Sequence, residues 1–106
     1  MTDTTDTISV TVRVVVFWDE GMWAAQCLEY DIGAQAPDLD TLKDRMTVVF
    51  EAELKESMER HGEPFTGIDK APERFHLMWE RRARSVEAAP AAWMINAMNV
   101  DLGLVA

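Results

Sequence analysis

Four carboxylates lie close together in the sequence, and they are the first residues to which chemistry can be assigned. They are Asp19, Glu20, Glu29 and Asp31. Two or more carboxylates can hold Mg²⁺, and a bound divalent ion assists phosphodiester cleavage. Acidic residues are also common in turns, where they keep the chain soluble and hydrogen-bond to the local backbone. The cluster therefore allows two hypotheses, a metal-dependent nuclease and an acidic surface that holds no metal.

A second chemical candidate is Cys27, the single cysteine, with His61 or His76 as its base. Nothing in the spacing of these residues brings them together, and a small cysteine on the apolar face of a strand is typical of a core residue. Two histidines without paired Cys or His spacing do not form a zinc motif. We therefore predict a protein that is not an enzyme, with no catalytic, metal-binding or cofactor-binding residues.

Composition and charge indicate an acidic globular domain. The chain has 106 residues, 48% of them apolar, and a formal net charge of −9. Of its 19 acidic residues, 13 precede Gly62. A surface of this sign repels the phosphate backbone of nucleic acids and attracts a basic protein. The polar N-terminus, the single cysteine and the lack of a long apolar run predict a cytoplasmic protein without membrane contact.

Three strands are predicted in the first third of the chain. Residues 8–17 alternate between apolar and polar side chains with many β-branched residues, a pattern typical of a half-buried strand. The turn Asp19-Glu20-Gly21 leads into a second, antiparallel strand at residues 22–28. Residues 31–36 form a short third strand, with Ile32, Ala34 and Ala36 on one face.

The rest of the chain predicts two helices and a last strand. An amphipathic helix begins near Asp38, continues to His61, and ends at Gly62. The apolar residues that should cover the sheet recur at helical spacing: Leu39, Leu42, Met46, Val49, Phe50, Leu54 and Met58. A second helix is predicted from Glu73 to about Arg84, with a narrow apolar stripe that should dock loosely or against another subunit. Alternation from Met98 to Leu104 predicts the last strand.

The order of the predicted elements and the amino-acid motif in residues 8–60 resemble those of the HicB-like antitoxin domain family. The similarity rests on the Asp19-Glu20-Gly21 turn, Trp23, Ala25, the segment Cys27-Leu28-Glu29, and Ala34–Ala36, followed by the long helix. It implies an α+β fold, a three-stranded antiparallel sheet with a long helix across one face. A second shorter helix and a C-terminal strand follow, in the order β-β-β-α-α-β. Residues 1–7 are then a flexible tail, and residues 8–106 form one domain with an extended C-terminal segment.

The resemblance also implies a function, because relatives bind a small basic RNase toxin and neutralise it. Here an acidic, aromatic-edged surface would occlude the basic active site. The contacts that we predict are Trp18, Asp19, Glu20, Trp23, Glu29 and Asp31. Many relatives carry a C-terminal DNA-binding segment. Residues 62–106 show no helix-turn-helix pattern, so we expect no DNA binding.

Two other functions stay open. The first is a stand-alone homo-oligomeric interaction module, a dimer or tetramer, in which the last strand would pair with a second copy if it lies at a sheet edge. Four tryptophans and seven methionines favour an interaction surface of either kind. The second is the metal-dependent nuclease, since the antitoxin fold is reminiscent of a trimmed ribonuclease H sheet. Enzymes of that type carry an essential acid within the first strand, whereas residues 12–16 contain none.

Overall fold

A computed structural model describes residues 11–82, 92–95 and 98–105 of the chain. The elements follow in the order β1 (Thr11–Asp19), β2 (Met22–Cys27), β3 (Gly33–Ala36), α1 (Leu39–His61), α2 (Glu73–Glu80), β4 (Ala92–Ile95) and β5 (Met98–Val105). The fold is α+β, as predicted. The predicted tail at residues 1–7 and the start of the predicted first strand lie outside the described residues.

The strands form one mixed sheet in the order β3-β2-β1-β5-β4. β1, β2 and β3 are antiparallel neighbours, as expected. β5 runs parallel to β1, with Val12 opposite Val100 and Val16 opposite Leu104. The C-terminal segment therefore forms two strands instead of the one predicted, because β4 turns back onto β5 as an antiparallel hairpin partner.

The position of β5 answers a question that the oligomer hypothesis left open. That hypothesis required the last strand to lie at a sheet edge, but β5 lies between β1 and β4, and both of its sides are paired within the chain. β3 and β4 are the edge strands of the described sheet. The condition for self-pairing by the last strand is therefore not met, and any strand addition must use another edge.

Helix α1 covers one face of the sheet with the apolar stripe that the sequence predicts. Asp38 caps its first turn by accepting a hydrogen bond from the Thr41 N–H at 2.8 Å. Leu42, Met46, Phe50 and Leu54 are buried against the face that carries Val12, Val14, Val16, Ala25, Cys27 and Ala36. The two ends of the predicted stripe, Leu39 and Met58, are exposed.

Helix α2 covers the opposite face, which corrects the expectation of loose docking. Its Trp79 is buried against Val15 and Leu28, and Phe17, Phe75, Met78 and Val105 surround this second cluster. Trp79 can approach the sheet closely because β5 carries Gly103 beneath it. A Cβ at position 103 would stand 2.8 Å from the Trp79 ring. The Arg82 guanidinium also packs on the indole, 4.3 Å from the ring.

The connection between the helices contributes to the core, although its sequence predicts only a loop. Phe65 is buried, with its ring centroid 4.8 Å from that of Tyr30 and 6.1 Å from that of Phe50. Its backbone takes a φ of 59°, a conformation that is costly for a bulky residue. The buried Ser57 hydroxyl accepts the Phe65 N–H at 2.7 Å and so holds this conformation.

Phe50→Ala should lower the free energy of unfolding by about 3–5 kcal/mol, because it removes the fully buried ring that joins α1 to the sheet and to Phe65. Glu51→Ala, at the exposed neighbouring position, is the matched control and should change stability little. Urea denaturation followed by far-UV circular dichroism measures both. Equal stability of the two variants would contradict this assignment of the core.

Gly103→Ala should destabilise the protein by about 1–3 kcal/mol, because the added methyl group collides with the Trp79 ring and forces overpacking. Trp79→Leu in the same chain should recover part of that loss by opening space at position 103. A double-mutant cycle on the unfolding free energies measures the coupling. Strictly additive changes in the unfolding free energy would show that the packing of Trp79 does not depend on glycine at position 103.

Candidate functional site

The β1–β2 hairpin ends in a tip formed by residues 18–23, which we call the hairpin tip. Asp19 pairs with Met22 and Trp18 with Trp23, so the loop consists of Glu20 and Gly21 alone. Both loop residues have positive φ angles, 51° and 86°, as a type I′ turn requires. Gly21 adopts this conformation freely, whereas Glu20 bears a cost because turns of this type favour Asn, Asp or Gly.

The hairpin tip exposes apolar surface beside its acids. Trp18 is 55% exposed and Met22 is 41% exposed. The Trp18 and Trp23 rings meet edge to face, with centroids 5.3 Å apart and planes at 79°. Trp23 in turn contacts the core beneath α1. The two indoles therefore form a fixed aromatic edge, anchored on one side and open to a partner on the other.

The structure places the six predicted contact residues in two groups. Trp18, Asp19, Glu20 and Trp23 belong to the hairpin tip. Glu29 and Asp31 follow the far end of β2, which has six residues. At about 3.3 Å per residue the two groups stand roughly 20 Å apart. The carboxylates that are close in sequence therefore do not gather at one point.

Glu29 has a clear structural role. One of its carboxylate oxygens accepts the Arg13 backbone N–H at 2.8 Å, and the other accepts Arg13 Nε at 2.6 Å. The Arg13 guanidinium lies 5.8 Å from the Trp79 ring. Glu29 thus holds Arg13 against the α2 side of the sheet. The pair is only partly exposed, and its atoms are engaged within the chain.

Asp19 lines an open groove on the α2 side of the sheet, and Asp31 contacts one of the other residues that line it. Residues that line this groove of about 420 Å³ include Phe17, Asp19, Ala24, Gln26, Arg74 and Phe75. The Gln26 amide donates to Asp31 at 2.9 Å and so connects that carboxylate to the groove. The groove is the surface by which one partner segment could contact both groups of acids.

The described residues include no metal-binding group that would support the nuclease hypothesis. Among residues 11–82, 92–95 and 98–105, no three His, Cys, Asp or Glu side chains are placed to hold one ion. The acids of the hairpin tip and those beyond β2 are separated, and Glu29 is paired with Arg13. The arrangement therefore offers surface charge, and it offers no ligand set among these residues.

Cys27 and the two histidines are not brought together. Cys27 is buried on the sheet face that α1 covers, whereas His76 belongs to α2 on the opposite face. His76 Nε2 lies 3.2 Å from the Ala71 carbonyl, and His61 is exposed at the end of α1. Burial raises the pKa of the Cys27 thiol from an ordinary value of 9.0 to about 11, the opposite of what a nucleophile needs.

The basic residues near α2 support aromatic packing. Arg82 Nη1 donates to the Trp79 carbonyl at 2.9 Å, and Arg74 lies 4.6 Å from the Phe75 ring. Arg84 lies outside the described residues. Sequence reasoning missed Gly103 as a determinant of this packing and Phe65 as a core residue, and the only available signal was an isolated Gly within an alternating strand.

Comparison of the chain with models of known protein families, with curated proteins and with solved structures finds no significant match. Within the part of the chain that the structure describes, neither helix is long and apolar enough to cross a bilayer.

Cys27 should resist thiol reagents in the native protein. With a pKa of about 11, roughly one thiol in a thousand is ionised at pH 8, and the sulfur is buried. Reaction with an aromatic disulfide reagent should be slow in buffer and fast in denaturant.

Because the native thiol holds its proton more tightly than the unfolded one, stability should fall as pH rises from about 9 to 11. Cys27→Ala should lack this alkaline loss.

Proposed function

We propose that this chain is a cytoplasmic, non-enzymatic protein-binding domain of the HicB-like antitoxin type, and that its hairpin tip occludes the active site of a small basic RNase. The observation that carries the proposal is the exposed apolar surface of Trp18 and Met22 at a rigid turn. Large apolar side chains held in the open by a paired hairpin are typical of interaction surfaces.

The charge of the hairpin tip suits a basic partner. Asp19 and Glu20 are exposed beside the aromatic edge, and the whole chain carries a net charge of −9. An RNase active site is positively charged because it binds phosphates. Carboxylates at the tip would take the place of those phosphates, and the overall charge would speed encounter between the two proteins.

The strained turn also supports a role for Glu20. A non-glycine residue with positive φ costs of order 1–3 kcal/mol, and Asn or Asp would bear less of that cost in a type I′ turn. Glu20 adds a longer carboxylate that reaches further from the tip. A role in partner binding would explain why the charged Glu20 occupies a position where it lowers stability.

The six predicted contacts can serve one partner only if it extends along β2. Such a partner would cover the hairpin tip with its active site and reach toward Asp31 through the groove that Asp19 and Gln26 line. Glu29 would contribute indirectly, since it holds Arg13. The order of three antiparallel strands and a long helix from Thr11 to His61 is also the order that the family resemblance implies.

The test is capture of a partner from the native host with the tagged chain, followed by an RNase assay of what is recovered. We expect a small basic protein whose RNA cleavage is inhibited at a ratio of about one to one, as one exclusive site predicts. An open reading frame for such a protein should lie beside the gene. Recovery of no basic protein, together with no such reading frame, would contradict the proposal.

Two variants make the assay specific for the hairpin tip. Trp18→Ala should weaken inhibition by at least about tenfold, which matches the loss of a central aromatic contact. Glu20→Asn should weaken inhibition while raising the melting temperature, because Asn tolerates the turn better. Asp40→Asn, an exposed acid in the first turn of α1, is the matched control and should inhibit normally. Full inhibition by both tip variants would place the contact elsewhere.

A further inference from the structure

The β3 strand forms one edge of the sheet, and its outward backbone groups can be identified. The Ile32 carbonyl accepts the Cys27 N–H at 2.9 Å, so the backbone of residue 32 points toward β2. Alternation along the strand then directs the backbone groups of Ala34 inward and those of Gly33 and Gln35 outward. The Gln35 carbonyl confirms this direction, because Arg45 Nη1 of α1 donates to it at 2.7 Å.

An apolar groove accompanies this edge where α1 passes over β3. Val48 and Val49 of α1 form it together with Ala34, and Asp44 and Arg45 stand on its lip. Its volume is about 470 Å³, and Val48 is 65% exposed, the most exposed large apolar residue of the described chain. An exposed valine beside an open strand edge is the surface that an added strand would cover.

A second copy of β3 fits this edge by symmetry. If Ala34 faces Ala34 of the second copy, each Gly33 faces a Gln35, and the outward groups of both strands exchange N–H to carbonyl bonds in register. The small side chain at position 34 allows two copies to meet without a clash. The two Val48 side chains would approach each other over the joined strands.

Charge also favours a second copy at this place. With a net charge of −9, two copies repel each other over most acidic surfaces, the hairpin tip included. The lip of the groove carries one acid and one base, Asp44 and Arg45, so no local charge accumulates there. Such a mixed patch is self-complementary across a two-fold axis, where each residue can meet its opposite.

We propose that β3 pairs antiparallel with β3 of a second copy, which joins two sheets into one and covers Val48. In the single chain, Arg45 occupies the Gln35 carbonyl and caps the edge. On dimerisation, the backbone of the second copy replaces that bond. The interface uses none of the side chains of the hairpin tip, so the proposal does not depend on the function proposed above.

Analytical ultracentrifugation over a range of concentrations, combined with amide hydrogen exchange, tests the proposal. We expect a monomer–dimer equilibrium in which the amides of Gly33 and Gln35 become protected as the dimer forms. The Ala34 amide, which already points toward β2, should be protected at every concentration and serves as the internal reference. A monomer at all concentrations, or a dimer that leaves the Gly33 and Gln35 amides unprotected, would overturn the proposal.

Val48→Lys supplies a second measurement and should fold normally, because the side chain is exposed. It places two like charges near the two-fold axis and removes apolar burial, so the dimer should dissociate at least about tenfold more readily. Leu77→Lys is the matched control, since Leu77 is 51% exposed on α2, which packs on the face of the sheet opposite α1 and Val48. Equal dimerisation of the two variants would refute the assignment of the interface to this edge.

Discussion

Burial of both faces of β1 is the constraint on which the rest of the structure depends. Val14, Val15 and Val16 are consecutive and all are buried. Consecutive strand residues point to opposite sides of the sheet, so a single covering layer cannot bury them. α1 covers the even-numbered valines and α2 covers Val15, which requires the chain after α1 to cross to the other side. The C-terminal segment then returns to place β5 beside β1.

Local sequence patterns predict the half of the fold that α1 organises. Alternation in residues 8–17, the acidic turn and the spacing from Leu42 to Leu54 depend on neighbours within a few residues. From Thr11 onward, the structure has a strand, a turn and a helix where these signals lie. The docking of α2 and of the connection between the helices depends on pairs that are distant in sequence. Glycine is needed at position 103 because Trp79 packs against it, and Phe65 becomes a core residue because it packs against Tyr30 and Phe50. No periodicity in a single sequence expresses such pairs, so the docking of α2 and the parallel pairing of β5 were not predictable.

The same limit explains what could be predicted of the candidate site. The hairpin tip is local, and the turn residues and the two tryptophans follow from strand pairing alone. The contribution of Glu29 is not local, because its carboxylate is satisfied by Arg13 on the neighbouring strand, 16 residues earlier. Closeness in sequence suggested a carboxylate cluster, but β2 lies between the two groups of carboxylates and holds them apart. An extended strand separates residues that a helix would have kept together.

The strained backbone at the hairpin tip depends on the rigid strand pairing around it. A residue keeps an unfavourable backbone conformation only where its surroundings fix it, and here six paired positions between β1 and β2 do so. The edge-to-face contact of Trp18 and Trp23 adds a side-chain constraint one pair below the turn. The backbone of Glu20 and the ring of Trp18 are therefore held in place before any partner arrives, which lowers the conformational entropy that binding costs. A flexible loop with the same residues would present the same chemistry and bind more weakly, which is why the short turn matters to the proposed function.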